Sequence, residues 1–345
     1  MEESTSERPR TLAEVAAAAG VSVPTVSRVI NQRSDVAPAT RERVQRVLTE
    51  HGYVVNHAGR SLRQGKSRQI DIISQDLDSY YAFQILRGIQ DALLSTDVRA
   101  VLASTHDHRQ REMQWIQRLA DGSTDGAILI LADRASLHLQ ELRRHAIPCV
   151  VVDPVAELGP NDLSVSSTNW SGAKAATEYL LSLGHRRIGA LLGPSTVSAT
   201  QTRLGGYRAA LTEGGLPLDT SLIRYGDWQA EGAVLETREL LALADPPTAI
   251  FAGNDLQALG VYRTLRQHNV LVPDDMSVVG FDDLPYAALI TPALTTVRQP
   301  LLEMGRVATN MLLRLMGGEQ VDSVRVELAT PLIVRESCAA PSGVR

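Results

Sequence analysis

Six residues stand where a chain of alternating strands and helices gathers polar chemistry. Asp153 ends the apolar run VVVD, Arg203 opens a helical segment after GPSTVSAT, Trp228 follows RYGD, and Asn254 and Asp255 follow AIFAG. Trp170 lies just past the expected crossing between two halves of the chain. Flat aromatic faces beside carboxylate and guanidinium groups suit a sugar, whose ring has an apolar face and whose hydroxyls both donate and accept. Each residue also has a purely structural use: an isolated Trp in a core, a strand-end Asp as a helix cap, an Arg paired with a carboxylate. Tyr80, Tyr81 and Phe83, near the end of the first strand of the α/β region, are further candidates for the same lining.

Signatures of catalysis are missing from the sequence. No GxGxxG opens a helix, and there is no GxxxxGK[ST] and no GxSxG elbow. His106 and His108 in THDHRQ would need a second cluster of ligands to hold a metal, and read better as exposed loop histidines. Asp282 and Asp283 are adjacent carboxylates, but neighbours along a chain point apart rather than flanking one bond, so a strand-end loop explains them better. We expect binding rather than catalysis, with no cofactor and no metal.

The elements that must position these residues follow from periodicity. From Arg68 onward, apolar runs IDII, VRAVLAS, GAILIL and IPCVVVD alternate with helical stretches such as YYAFQILRGIQDALLS. After residue 165 the pattern repeats, with RRIGALLG, SLIRYGDW, PTAIFAG and MSVVGFDD between helical segments. These are βα units of parallel sheets, grouped as two doubly wound lobes. Ligands of such folds sit at the carboxyl ends of the strands, so the cleft between the lobes is the expected site. TPALTTVRQP should return the chain to the first lobe, and VRVELATPLIVRES should cross back.

The N-terminal stretch TLAEVAAAAGVSVPTVSRVIN has a different logic. Thr11 and Glu14 form a capping box, Leu12, Val15, Ala16 and Ala19 share one face, and Gly20 supplies the positive φ that closes a first helix. Ser22 caps a second helix, with Pro24 in its first turn where a missing N–H costs nothing. Val26, Val29 and Ile30 point inward, leaving Val23, Pro24, Ser27, Arg28 and Asn31 for a partner. Pro38 opens a third helix, with Val44, Val47 and Leu48 inward and Tyr53 capping the small core. Such an exposed second helix suits a DNA major groove.

The 345 residues, 44% of them apolar, allow two or three domains. No run reaches the length of a membrane span, and MEESTSERPR lacks the apolar core of a signal peptide. Only Cys149 and Cys338 occur, too few for a disulfide framework, so a reducing cytoplasm is expected. The net charge of −5 is an average over unlike parts. Residues 1–68 carry 11 Lys+Arg against 7 Asp+Glu, and the remainder 23 against 32. A basic head on an acidic body fits a DNA-binding module joined to a regulatory one.

The literal words are more specific than the pattern. GVSVPTVSRVIN followed by VAPATRERVQRVLTEHGYVVN resembles the N-terminal domain of the lactose repressor family of bacterial transcriptional regulators. The resemblance continues through LGHRRIG, GFDDLP and ITPALTTVRQP over nearly the whole chain. It implies an all-α helix-turn-helix domain over 1–55, a hinge over 56–67, and an α/β two-lobed, periplasmic-binding-protein-like effector domain over 68–345. The lobes are expected at about 68–165 plus 298–325 and 166–297 plus 326–338.

The resemblance further implies a repressor of carbohydrate-use genes, with an activating regulator as the alternative, that binds double-stranded DNA, read as a near-palindromic operator by a homodimer, and is released by a small effector, a sugar before a nucleobase or a protein partner. Val23 and Pro24 then meet a thymine methyl and Arg28 a guanine edge, with Thr11, Ser22, Thr25, Ser27, Asn31 and Asn56 beside them. Leu62 aligns with a leucine that wedges into the minor groove, and Gly59 departs from the alanine usual one turn earlier. Arg203 in RxxGY and Asp255 in NDxxAxG align with effector-contacting positions, and Trp228 with an aromatic that stacks on effector. Absence of leucine heptads after Val334 favours a dimer over a tetramer.

Overall fold

Thr11 caps the first helix as its spacing to Glu14 requires. Its Oγ1 accepts from Glu14 N at 3.3 Å, and its own N–H donates to Glu14 Oε2 at 2.9 Å. Helix α1 (Leu12–Ala19) ends at Gly20, whose φ of 64° lets its N–H reach back to the Ala16 and Ala17 carbonyls. Ser22 Oγ accepts from Thr25 N at 3.4 Å at the start of α2 (Val23–Ile30), and α3 (Pro38–Glu50) completes the group. Val15, Val26 and Val44 are wholly buried between the three helices, with Tyr53 packed against their cluster. Burial of each such side chain stabilises by about 1.5–3 kcal/mol, which a unit this small needs.

This computed structural model describes residues 11–30, 33–50, 53, 67–74, 77–104, 114–115, 119, 124–131 and 135–342. The chain divides into two compact units, Met1–Lys66 and Ser67–Arg345. Asn31, Asn56, Gly59, Leu62, His106 and His108 lie outside the described residues. Among the described residues no single helix is long and apolar enough to cross a membrane.

The second unit opens with β1 (Gln69–Ser74), α4 (Tyr80–Leu93), β2 (Arg99–Ser104), β3 (Gly126–Ile130), α5 (Ala135–Arg144), β4 (Cys149–Val152) and β5 (Ser164–Ser167). Every residue of β3 and β4 is buried, because helices cover both faces of a parallel sheet; hence the unbroken apolar runs GAILI and CVVV. The second lobe adds α6 (Asn169–Ser182), β6 (Ile188–Leu192), α7 (Ser198–Glu213), β7 (Ile223–Tyr225), α8 (Ala230–Leu241), β8 (Ala249–Ala252), α9 (Asp255–Gln267), β9 (Ser277–Asp282), α10 (Pro285–Leu289) and β10 (Thr295–Arg298). The chain then returns through α11 (Leu301–Met316) and β11 (Arg325–Leu328) and finishes its strands with β12 (Leu332–Ile333).

Two six-stranded sheets result, in the orders β11-β5-β4-β3-β1-β2 and β12-β10-β9-β8-β6-β7. Among the described residues all pairings are parallel except β10 with β12. The tail departs from the expected boundaries. Arg325–Leu328 pairs with Ser164–Ser167, so the chain crosses to the second lobe after Leu328 rather than at 326. The outer edge of β5 needs a hydrogen-bonding partner, and β11 supplies it before the chain leaves. Thr168 and Thr330 join two of the three crossings, with hydroxyls 2.9 Å apart and Thr330 N donating to Thr168 Oγ1 at 3.1 Å.

Candidate DNA-reading helix and ligand cleft

In the first unit, α2 buries Val26 and Val29 and turns its other side outward. Val23, Pro24 and Arg28 are exposed, and Thr25 and Ser27 are half-buried beside them. Pro24, Ser27 and Arg28 line a concavity with Arg33 and Asp35. Arg28 Nε lies 3.7 Å from Asp35 Oδ2, a surface contact that holds the guanidinium only loosely. An apolar corner and an exposed guanidinium on one helix are complementary to what a major groove presents, methyl groups and guanine acceptors.

In the second unit a cleft of about 540 Å³ opens between the two sheets at the carboxyl ends of their strands. Asp153 follows β4, Asp282 ends β9, Asn254 precedes α9 and Trp228 follows β7, and all four line it with Arg203 and Tyr81. Asp153, Asp282 and Trp228 all hold positive φ, at 50°, 120° and 66°. Non-glycine residues reach that region at a cost of the order of 1 kcal/mol or more each, so the surrounding structure must hold these three backbone positions in place.

Buried polar groups are paired within each wall. Tyr81 OH donates to Asp153 Oδ2 at 2.7 Å. Arg203, 4% exposed, donates from Nε to Asn169 Oδ1 at 2.7 Å and from Nη1 to the Gly253 carbonyl at 2.5 Å. Its Cζ lies 3.8 Å from the Phe281 ring centroid and 5.3 Å from that of Trp228, so both rings hold the guanidinium by cation–π attraction. Arg203 Nη2 stays 4.0 Å from Asp282 Oδ1. Burial pushes the Asp282 carboxyl up to about 7, against the opposing pull of Arg203 and of the hydrogen bond from Gln299. Burial also raises Asp153, opposed by its bond from Tyr81 and by Arg203.

Four expected lining residues lie elsewhere. Asp255 is completely buried behind the cleft wall, where Oδ2 accepts from Leu284 N at 2.8 Å and Oδ1 accepts from Thr296 Oγ1 at 2.5 Å. Burial, then the neighbouring Asp282, raises its carboxyl far above the usual range. Trp170 is 43% exposed over Gly205 and does not line the cleft. Tyr80 belongs to a neighbouring groove with Gln84 and Arg298, its ring 5.9 Å from that of half-exposed Phe83. Conversely, Asp282 is a lining residue that a strand-end loop alone did not announce, whereas Asp283 points away and is held by Arg298 at 2.6 Å and Arg335 at 2.5 Å. Gln299 and Asn169, which hold Asp282 and Arg203, had no sequence signal beyond their places at crossings.

A three-helix reading head joined to two parallel-sheet lobes around a polar, aromatic-walled cleft defines a ligand-responsive DNA-binding protein. Residues 11–56 match the model of the bacterial regulatory proteins of the lacI family, and residues 177–338 match the periplasmic binding protein-like domain. The HTH-type transcriptional regulator CelR of Thermobifida fusca is 37% identical over 337 residues, which are 96% of this chain and 98% of that one. The ribose operon repressor of Escherichia coli is 31% identical, over 95% and 99% of the two chains. Among solved structures, the lac repressor dimer bound to operator and the anti-inducer ONPF aligns with a TM-score of 0.85 at 28% identity, covering 96% of this chain and 100% of that one. The CelR–cellobiose complex aligns with a TM-score of 0.74 at 35% identity, covering 95% and 99%. The chain belongs to the lacI family and is a DNA-binding transcriptional regulator.

Proposed function

We propose that this regulator is a homodimeric repressor of carbohydrate-utilisation genes that leaves a near-palindromic operator when a small sugar fills the interlobe cleft. The observation that carries the reading is the cleft itself, where the Trp228 ring stands beside Asp153, Arg203, Asn254 and Asp282. One flat apolar face ringed by donors and acceptors is complementary to a pyranose. A disaccharide of the cellobiose type is the first candidate. The relative CelR supports it, as a protein whose structure is known with cellobiose, and the cleft volume lies in the range of small-molecule sites. Binding at the cleft changes operator affinity only through a difference in affinity for two arrangements of the lobes. The three crossings, latched at Thr168 and Thr330, are where those arrangements would differ.

The test is an operator titration of the full chain, at one fixed salt concentration, with panels of disaccharides, monosaccharides and purine bases. A disaccharide that weakens operator binding at least tenfold supports the reading. Tightening by a purine base would replace it with a corepressor mechanism, and indifference to every sugar would overturn it.

A further inference from the structure

Charge in the cleft is unbalanced in a way that bears on which ligands enter. Among the described lining residues Asp153, Asp227 and Asp282 are acidic, and Arg203 is the single cation. That guanidinium is not available as a fork for an anion. Two of its nitrogens already donate to Asn169 and to the Gly253 carbonyl, and Phe281 and Trp228 lie over it. Its third nitrogen lies 4.0 Å from Asp282, and at 4% exposure the side chain has no room to swing.

Two helix N-termini also approach the cleft, through Val197 and Ala199 of the α7 start and Asn254 of the α9 start. Each contributes about half a positive charge. Their free amides are partly spoken for: Ser198 N donates to the Val155 carbonyl at 2.8 Å, and Gln257 N to Asn254 Oδ1 at 2.7 Å. The guanidinium is already engaged and the helix ends supply only partial charge, so a dianion entering beside Asp153, Asp227 and Asp282 meets no free counter-charge. A neutral polyol meets no such barrier, because its hydroxyls donate to Asp153 and Asp227 and accept from Asn254.

Resting on the sugar-effector reading, we infer that the cleft selects an uncharged polyhydroxyl ligand and turns away the phosphorylated and carboxylated forms of the same sugar. Asp227 stands at the exposed mouth, its Oδ1 accepting from Gln229 N at 2.9 Å, and is the carboxylate that an entering anion meets in water. Asp282 lies deeper, where burial raises its carboxyl and so favours the protonated form, which can donate as well as accept.

The experiment is calorimetry on the full chain with cellobiose, lactose and maltose, each paired with its 6-phosphate, and with cellobionate. We expect a neutral disaccharide to bind, with its phosphate and acid forms at least tenfold weaker. A gap under tenfold, or binding by the phosphates alone, overturns the inference while leaving a sugar effector in place. Binding by no member of either series overturns the sugar reading and the inference with it. Asp227→Asn separates charge from bulk: it should narrow the neutral-to-phosphate gap several-fold, whereas an unchanged gap would mean a steric filter and end the electrostatic argument.

Discussion

Gln299 donates from Nε2 to Oδ1 of Asp282 at 2.6 Å while its Oε1 accepts from Ser167 Oγ at 2.6 Å. Ser167 ends a strand of the first lobe, Asp282 ends one of the second, and Gln299 lies on a crossing between them. All three are at least nine-tenths buried. An amide is the side chain that donates at one end and accepts at the other, so the polarity of this bridge is fixed by its chemistry.

Gln299→Glu keeps the shape and replaces the donor with an acceptor beside a carboxylate. We expect a loss of about 1–3 kcal/mol in stability, the usual cost of a buried group left without its partner. Effector affinity should fall as well, because Asp282 loses the bond that orients it. Thermal unfolding and effector calorimetry check the two effects separately; unchanged affinity in a folded variant would show that the bridge does not position Asp282.

The indole of Trp228 lies directly on Gly193, where an added Cβ would come within 1.9 Å of Trp228 Cε2. Gly193→Ala should therefore displace the ring and uncover one face of Arg203. Trp228 is only half-buried, so the unit should stay folded while effector affinity drops at least tenfold. A tryptophan emission shift in the free variant, together with calorimetry, tests this. Native emission and native affinity would place the ligand away from the indole.

Both the architecture and the polar end of the cleft were legible in the sequence because strand ends are easily read: Asp153, Trp228 and Asn254 each follow an apolar run. What failed was resolution of a single residue. On a helix, neighbours point about 100° apart. Asn169 turns inward to hold Arg203, and Trp170, next in the chain, turns out over Gly205. Asn254 faces the cleft and Asp255 goes beneath it; Tyr81 faces the cleft and Tyr80 its neighbouring groove. Sequence position alone does not choose between such neighbours. Gln299 was silent for another reason: its partners Ser167 and Asp282 are 132 and 17 residues away, joined only by the folded topology.

On the DNA side, Arg28 is the test residue, since its ion pair with Asp35 lies on the surface and contributes little to folding. Arg28→Ala should leave the helix-turn-helix unit folded, cost about 1–3 kcal/mol of operator binding and relax one base position in each half-site. Binding-site selection with parent and variant reads this directly. An unchanged base preference would move the reading contact to another residue of the second helix.

The last prediction concerns pH and turns on Asp282. Burial pushes its carboxyl up to about 7 in the folded chain, from an ordinary value of 3.8. Between those values the folded state holds a proton that the unfolded state has released. Stability therefore falls as pH rises from about 4 to 7 and levels off above, the reverse of a salt-bridged carboxylate. Asp153 and Asp255, also raised by burial, slope the same way, so the parent profile alone does not isolate one group. Asp282→Asn removes this carboxyl, since an asparagine still accepts from Gln299 but never ionises, and it also relieves Asp255 of the neighbouring charge that helps raise it, so the variant reports the two carboxyls together. The melting temperature of the variant should exceed that of the parent by an amount that grows from pH 5 to pH 7 and stays constant to pH 8.5. Tryptophan fluorescence is the right probe, because Trp115, Trp170 and Trp228 are the only tryptophans and all belong to the second unit. If the difference between variant and parent is flat across that range, Asp282 is ionised throughout, and the cleft carries its full acidic charge at every pH tested.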